Sequence, residues 1–499
     1  MKRIIKYLTI ALLAGNMGCS DWLDVRPRTE MKEEDMYASE DGFKNVLTGA
    51  YIRLVSADLY GKNVTLSVPE LLAQHWETST ATNDGKILDD IRKFNFENAG
   101  PKDIIATMWL QYYKTIASLN NLLAEIDAKE KLFTNGNYNL IKGEALGLRA
   151  FLHFDILRLW GPVPKNADMG QSAIPYLTEM TKNPNKALPL SYQKVLEMIV
   201  TDLNAAEKYL EKDPIIECRP SVLNMGYGAI LAGEFKRPED EFQYYRQNRF
   251  NYYAVKATQA RYYQWINEPG KAVACADEVI SAVNPDDNTI KFPLADEVTD
   301  GTLDNKTGDR IMSCEHIFSL QSSILEDITR PLFINFGGYT QKMKAIETAY
   351  ETTIHTNDLR FDKKNFWEEK SVPFTGKMQN MFKKYWVSET SSTTLMPLIR
   401  VSEMYFIVMA CGTQAQAQER FKTFRVKRNM DSSIDSELTD EPAIARRLEK
   451  EYRKEFYGEG QMFFYYKRNN VAQYTWPANF IVDVAKYVLP RPDSQTVFE

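Results

Sequence analysis

Apolar residues recur at helical spacing along most of this chain. In Asp41–Ala57 they fall at Phe43, Val46, Leu47, Ala50, Tyr51 and Leu54, one buried face of an amphipathic helix. Residues 58–103 lose that period and carry Gly61, Pro69, Gly85, Gly100 and Pro101, which predicts a long irregular excursion. Excursions of that length in compact proteins are commonly functional. A second helix is expected from about Ile104 to Ile126, with Trp109, Tyr112, Ile116, Leu119 and Leu123 on one side. A third, about Leu140–Trp160, stops at Gly161-Pro162. Ser191–Leu210 repeats the amphipathic spacing.

Asn251–Trp265 and Pro269–Val283 predict two helices broken at Asn267-Glu268-Pro269-Gly270. Ala257, Ala260, Ala272, Ala274 and Ala276 stand where two close-packed helices need small residues, so the pair resembles a tetratricopeptide-type hairpin. Residues 284–395 are richer in Gly, Thr, Asn, Asp and aromatics, and short runs such as His316–Leu320 suit a strand or a loop. Helical patterning returns at Leu398–Cys411 and Glu441–Phe464. The tail Tyr487–Glu499 is expected to be extended, because Pro490 and Pro492 oppose a helix. The fold class is therefore mostly α. A tetratricopeptide-like scaffold of helical hairpins covers about 35–283 and 396–485, with a loop-rich, mixed region at about 284–395.

Charge removes some function classes. The 499 residues carry 61 basic and 67 acidic side chains with no basic stripe, which argues against nucleic acid as a partner. Five cysteines, Cys19, Cys218, Cys275, Cys314 and Cys411, form no CxxC pair. The last four read as small buried hydrophobes. No cofactor or metal motif is present: HExxH, GxSxG, Walker and dinucleotide fingerprints are missing, as is a calcium loop. His75, His153, His316 and His355 lack ligand spacing, and His153 reads as a packed core histidine.

The N-terminus differs from the rest. Lys2, Arg3 and Lys6 precede an apolar stretch, Tyr7–Ala14, that is too short to span a bilayer. Small residues follow, ending in Gly18-Cys19. The layout resembles a bacterial lipoprotein signal, residues 1–18, with Cys19 as the lipid-attachment residue. Asn16 stands where such signals usually carry Leu. Ser20-Asp21-Trp22-Leu23-Asp24 resembles the surface-export signal of Bacteroidetes lipoproteins.

Six segments in order resemble the SusD/RagB family of outer-membrane nutrient-binding lipoproteins. They are CSDWLDVRPRTEMKEEDMYASEDGFKNVLTGAY from Cys19, WLQYYKTIASLNNLL from Trp109, GEALGLRAFLHFDILRLWGPVP from Gly143, PLIRVSEMYFIVMA from Pro397, EYRKEFYGEGQMFFYYKR from Glu451, and YVLPRPDS from Tyr487. The residues of these segments read as scaffold. Arg149, Phe151, Phe154, Arg158 and Trp160 suit helix packing with paired guanidinium groups. Arg400 and Glu403 have the spacing of an intrahelical ion pair, while Arg453, Glu455 and Glu459 suit caps or bridges to neighbouring helices.

The resemblance implies a non-enzymatic, surface-exposed, lipid-anchored protein of the outer membrane. It would hold an oligosaccharide for a SusC-like TonB-dependent transporter. A peptide ligand, as for a RagB-like loading protein, and a surface glycan hydrolase are the alternatives. Sugar recognition needs flat aromatic faces beside amides and charged donors. In SusD-like glycan binders the loop before the helix that carries Trp109 contributes to the site, which directs attention to 74–101. Gln74-His75-Trp76 and Asn83-Asp84 form an aromatic and polar group there. Phe96 and Asn98 stand where relatives place a stacking aromatic and an amide, Phe being the departure. Tyr339, Trp367 and Tyr385 in the loop-rich region and Trp265 at the hairpin turn complete the candidates.

Overall fold

The computed structural model describes residues 36–497 other than 79, 182, 230–234, 297–308, 335–337, 362–365, 372–375, 377, 387–392 and 478–479. The expected signal segment 1–18 and the expected lipid-attachment residue Cys19 lie outside the described residues. The scaffold helices are α1 (Glu40–Leu54), α4 (Ala99–Ile126), α5 (Asn137–Trp160), α6 (Tyr192–Tyr209), α7 (Tyr252–Trp265), α8 (Pro269–Ile280), α11 (Val401–Cys411), α12 (Gln414–Lys427), α13 (Glu441–Glu455) and α14 (Gln461–Asn469). Between them lie α2 (Val68–Leu72), α3 (Asn83–Arg92), α9 (Leu325–Phe333) and α10 (Met343–Ala349).

Local chemistry sets the helix ends. The Ser191 hydroxyl accepts from the Lys194 N–H at the start of α6, and Asn251 Oδ1 accepts from the Ala254 N–H at the start of α7. Thr413 and Gln416 close a capping box on α12. Gly161, followed by Pro162, terminates α5. Each helix packs on the next in a continuous series: α1 on α4, α4 on α5, α5 on α6, α6 on α7, α7 on α8, α8 on α11 and α11 on α12. That is the hairpin stacking expected from the sequence. Ala257, Ala260, Ala272 and Ala276 are buried between α7, α8 and their neighbours, whereas Ala274 faces outward.

Helix α5 is buried on every side, so its charges must be satisfied internally. Arg149 donates from Nε and Nη2 to Asp202 at 2.7 and 2.8 Å, Arg158 pairs with Asp155, and Glu144 pairs with Arg246. His153 donates from Nδ1 to the Arg149 carbonyl and accepts at Nε2 from the Leu177 N–H. Burial drives its pKa down to about 3, so the imidazole is neutral.

The loop-rich region joins the scaffold through two devices. Strand β2 (His316–Gln321) pairs antiparallel with β6 (Leu395–Arg400), while β4 (Trp367–Ser371) and β5 (Met378–Phe382) form their own antiparallel pair. The second device is a buried charge network. Arg400 contacts Glu315 at 2.8 Å, Glu455 at 2.7 Å and Glu459 at 2.8 Å. Arg428 shares Glu315 and Glu455, and Arg360 reaches Asp358, Glu451 and Glu455. Burial would raise the Glu451 carboxyl, but the charges of Lys454, Arg360 and Arg447 outweigh it and hold the group at about 2.

Several expectations are corrected. Residues 58–103 are largely helical, with α2, α3 and the start of α4 inside them, because Pro69 and Pro101 sit in first turns where proline is tolerated. Leu398 to Arg400 are strand rather than helix. Arg400 does not pair with Glu403; it turns to the three glutamates above, and Glu403 takes Arg261 instead. The pattern over Glu441–Phe464 breaks at Tyr457–Gly460, where Gly458 and Gly460 both adopt φ of +73°. The tail carries one helical turn at Asp493–Thr496, just after Pro492. Cys218 and Cys275 are buried, Cys314 and Cys411 are half-buried, and none of the four is in a disulfide among the described residues.

Candidate functional site

A single acid organises the junction between scaffold and loop-rich region. Glu70 on α2 is fully buried. Its Oε2 accepts from His75 Nδ1 at 3.0 Å, Trp76 Nε1 at 2.9 Å and the Gly458 N–H at 2.9 Å, while Oε1 accepts from the Gly460 N–H at 2.8 Å. Four donors from two distant segments thus converge on one carboxylate. The left-handed glycines turn both N–H groups toward it. The loop after α2 then runs as β1 (Glu77–Thr78) along β3 (Tyr339–Thr340), which ties it to the loop-rich region.

The sequence candidates divide into groups. His75, Trp76, Tyr339, Trp367 and Tyr385 come together from 310 residues of chain into one buried aromatic cluster with Phe333, Phe382 and Tyr457. Trp76 packs at 5.6 Å on Tyr339, 5.8 Å on Trp367 and 5.5 Å on Phe382, and His75 stacks on Tyr457 at 4.2 Å. These rings cover one another. Burial pushes the Tyr339 and Tyr385 hydroxyls well above the ordinary phenol range. Phe96 is also buried, edge-on to Phe94 at 5.9 Å. Asn83 and Asp84 are exposed in the first turn of α3, and Asn98 is exposed at the N-cap of α4. Trp265 lies elsewhere, at the end of α7, with Nε1 donating to the Tyr192 hydroxyl at 3.0 Å.

Beside the cluster opens a cavity of about 390 Å³, within the range of small-molecule sites. Trp76 and Trp476 form its apolar wall, and Gln74, Glu77, Arg92, Gln341, Lys342 and Lys344 supply polar groups. The wall is held in place from behind. Gln74 donates from Nε2 to the Arg92 carbonyl at 2.6 Å, and its Oε1 accepts from Arg92 Nη1 at 3.1 Å. Arg92 also donates to Asp89 at 2.8 Å. Burial would raise the Asp89 carboxyl, but hydrogen bonds from Lys93 and Arg92 outweigh it and lower its pKa. Gln341 donates to the His75 carbonyl at 2.8 Å. Three cations therefore face one acid, Glu77, across the mouth.

Comparison with known proteins follows the same outline. Residues 21–223 match a SusD-like family model described as starch-binding and associating with the outer membrane. Over that stretch the chain is similar to the SusD-like family. Two SusD-like proteins of Formosa agariphila are 22% identical over 49% of the chain and 25% identical over 41% of it. The matched stretches span less than half of those relatives' own length, 46% and 37%. Solved structures extend the likeness in fold to nearly the whole chain. A SusD superfamily protein from Bacteroides thetaiotaomicron superposes with a TM-score of 0.67 at 18% identity, covering 92% of this chain and 98% of that one. A putative sugar binding protein from Bacteroides vulgatus gives 0.65 at 17% identity, covering 92% and 97%.

Sequence reading pointed to Trp76 but passed over the groups around it. Glu70 carried a usable signal, a lone charge inside Val68-Pro69-Glu70-Leu71-Leu72-Ala73, which marks a buried and paired acid. Arg92, Lys342 and Trp476 had no such signal, since each reads locally as an ordinary surface or core residue. Among the described residues, no helix is long and apolar enough to cross a membrane.

Proposed function

We propose that this protein binds a saccharide at the bacterial surface and passes it, chemically unchanged, to a SusC-like TonB-dependent transporter in the outer membrane. The observation that carries the reading is the cavity beside Trp76. Trp476 and the edge of the buried Trp76 give it an apolar wall, and Arg92, Lys342 and Lys344 offer cationic donors to hydroxyls. The likeness of residues 21–223 to a family described as associating with the outer membrane, and the lipoprotein-like N-terminus, support the surface location. The non-catalytic part is supported by the lining, in which Glu77 is the one carboxylate, where glycoside hydrolysis ordinarily uses two facing each other.

A peptide ligand is the second reading, and one observation favours it. The aromatic faces of Trp76, Tyr339 and Trp367 stack on each other, so the accessible rim is dominated by charged and amide groups that suit peptide carboxylate and backbone. A glycan array and a peptide library probed with the full chain decide between them. The glycan reading expects saccharide binding that Arg92→Ala with Lys342→Ala weakens by about tenfold, the loss of one or two charge-assisted hydrogen bonds, with no hydrolysis products. Peptide binding alone on the same surface would replace it.

A further inference from the structure

A second, larger cleft lies away from the Trp76 site, at the ends of the scaffold helices. It is a cleft of about 820 Å³ where the C-termini of α7, α11 and α14 meet the N-termini of α6, α8, α12 and α13. Helix ends of both signs converge, so their dipoles largely offset one another and the side chains weigh most in the local potential. Those side chains are Arg468 and Lys165 against Glu441, a net positive lining.

Arg468 is the informative group. It is half-buried in the last turn of α14, with its guanidinium 5.8 Å from the Tyr465 ring centroid. Among the described residues it makes no ion pair, whereas Arg149, Arg261 and Arg425 on the same scaffold each hold a carboxylate at 2.7 Å or less. A planar guanidinium in a partly dry cleft is matched by a planar oxyanion, bound through two parallel hydrogen bonds. The rest of the lining suits a sugar rather than an aliphatic acid. Trp265 and Tyr465 give an apolar wall, and Asn267 and Asn469 give side-chain amides for hydroxyls.

We propose that this cleft is a second saccharide site, selective for sugars that carry a carboxylate, with Arg468 gripping the carboxylate and Lys165 at the rim. The saccharide class rests on the function proposed above; the preference for acid rests on Arg468 and the net positive lining. The test is calorimetric titration of the full chain with trigalacturonate, triguluronate and a glucuronate-containing tetrasaccharide, each against its methyl-esterified form. At least one acid should bind about tenfold tighter than its ester, the worth of one charge-assisted pair. With the first site's cations removed by Arg92→Ala and Lys342→Ala, Arg468→Ala and, separately, the exposed Lys165→Glu should erase that preference. Lys165→Glu alone decides the matter should Arg468→Ala fail to fold. Failure of all three acids to bind, or a preference that survives the cleft variants, overturns the proposal. Neutral saccharides whose binding depends on Arg92 and Lys342 would still uphold the first site.

Discussion

Glu70 offers the sharpest test of how the candidate site is built. Replacing it with Ala leaves four buried donors unpaired: His75 Nδ1, Trp76 Nε1 and the N–H groups of Gly458 and Gly460. Each orphaned donor costs about 1–3 kcal/mol, and the lower end applies where water enters the space left behind. The expected loss is therefore at least about 4 kcal/mol, a large part of the 5–15 kcal/mol that holds a typical domain folded. Glu70→Gln is milder. Its amide oxygen can stay with the three donors at the Oε2 position, so the new NH₂ opposes only the Gly460 N–H. About 2 kcal/mol is expected for that variant, from one orphaned donor and the lost charge. Urea unfolding of the full chain at neutral pH measures both, and binding of the array-identified ligand by folded Glu70→Gln reports whether the Trp76 wall stays in place. A loss below about 1 kcal/mol for Ala, or Gln more damaging than Ala, would refute the convergence argument.

Two further predictions concern the buried charges. Arg400→Met leaves Glu315, Glu455 and Glu459 facing one another without their shared cation, and should cost about 3–5 kcal/mol in the same unfolding assay. The pH dependence follows from His153, whose folded pKa is about 3 against an ordinary value near 6.5. A depressed folded pKa means that the unfolded chain binds the extra proton first. Stability is thus complete above about pH 6.5 and falls as the pH drops toward 3, by up to about 1.4 kcal/mol per pH unit per proton. His316 and His355 are lowered by burial as well and add to the slope. Glu451, held at about 2, contributes its loss only below the ordinary carboxylate range. His153→Gln should remove about one proton from the slope between pH 6.5 and 5, and an unchanged slope would count against a neutral buried imidazole.

Much of the scaffold was legible because helical periodicity is a local property. Ser191–Leu210 and Asn251–Trp265 carry their caps and apolar faces within a few turns of chain, and the helices appear within one or two residues of the expected bounds. The break at Tyr457–Gly460 was hidden by apolar spacing that continues across it, and the first-turn prolines Pro69 and Pro101 read as breakers when they are starters. Arg400 shows the limit of spacing rules. Glu403 stands three residues away, but the guanidinium is drawn to three buried glutamates more than 50 residues distant, where water does not compete.

By itself the sequence determined a helical, family-typical scaffold and singled out the aromatic residues from which a site is made. Tertiary structure decided which of those aromatics meet and which face solvent. Trp76, Tyr339, Trp367 and Tyr385 share one cluster because Glu70 draws α2 and the Gly458–Gly460 turn together and β1 pairs with β3. Those contacts join segments nearly 390 residues apart. Burial depends on which distant surfaces cover a ring, and no window of sequence contains that information.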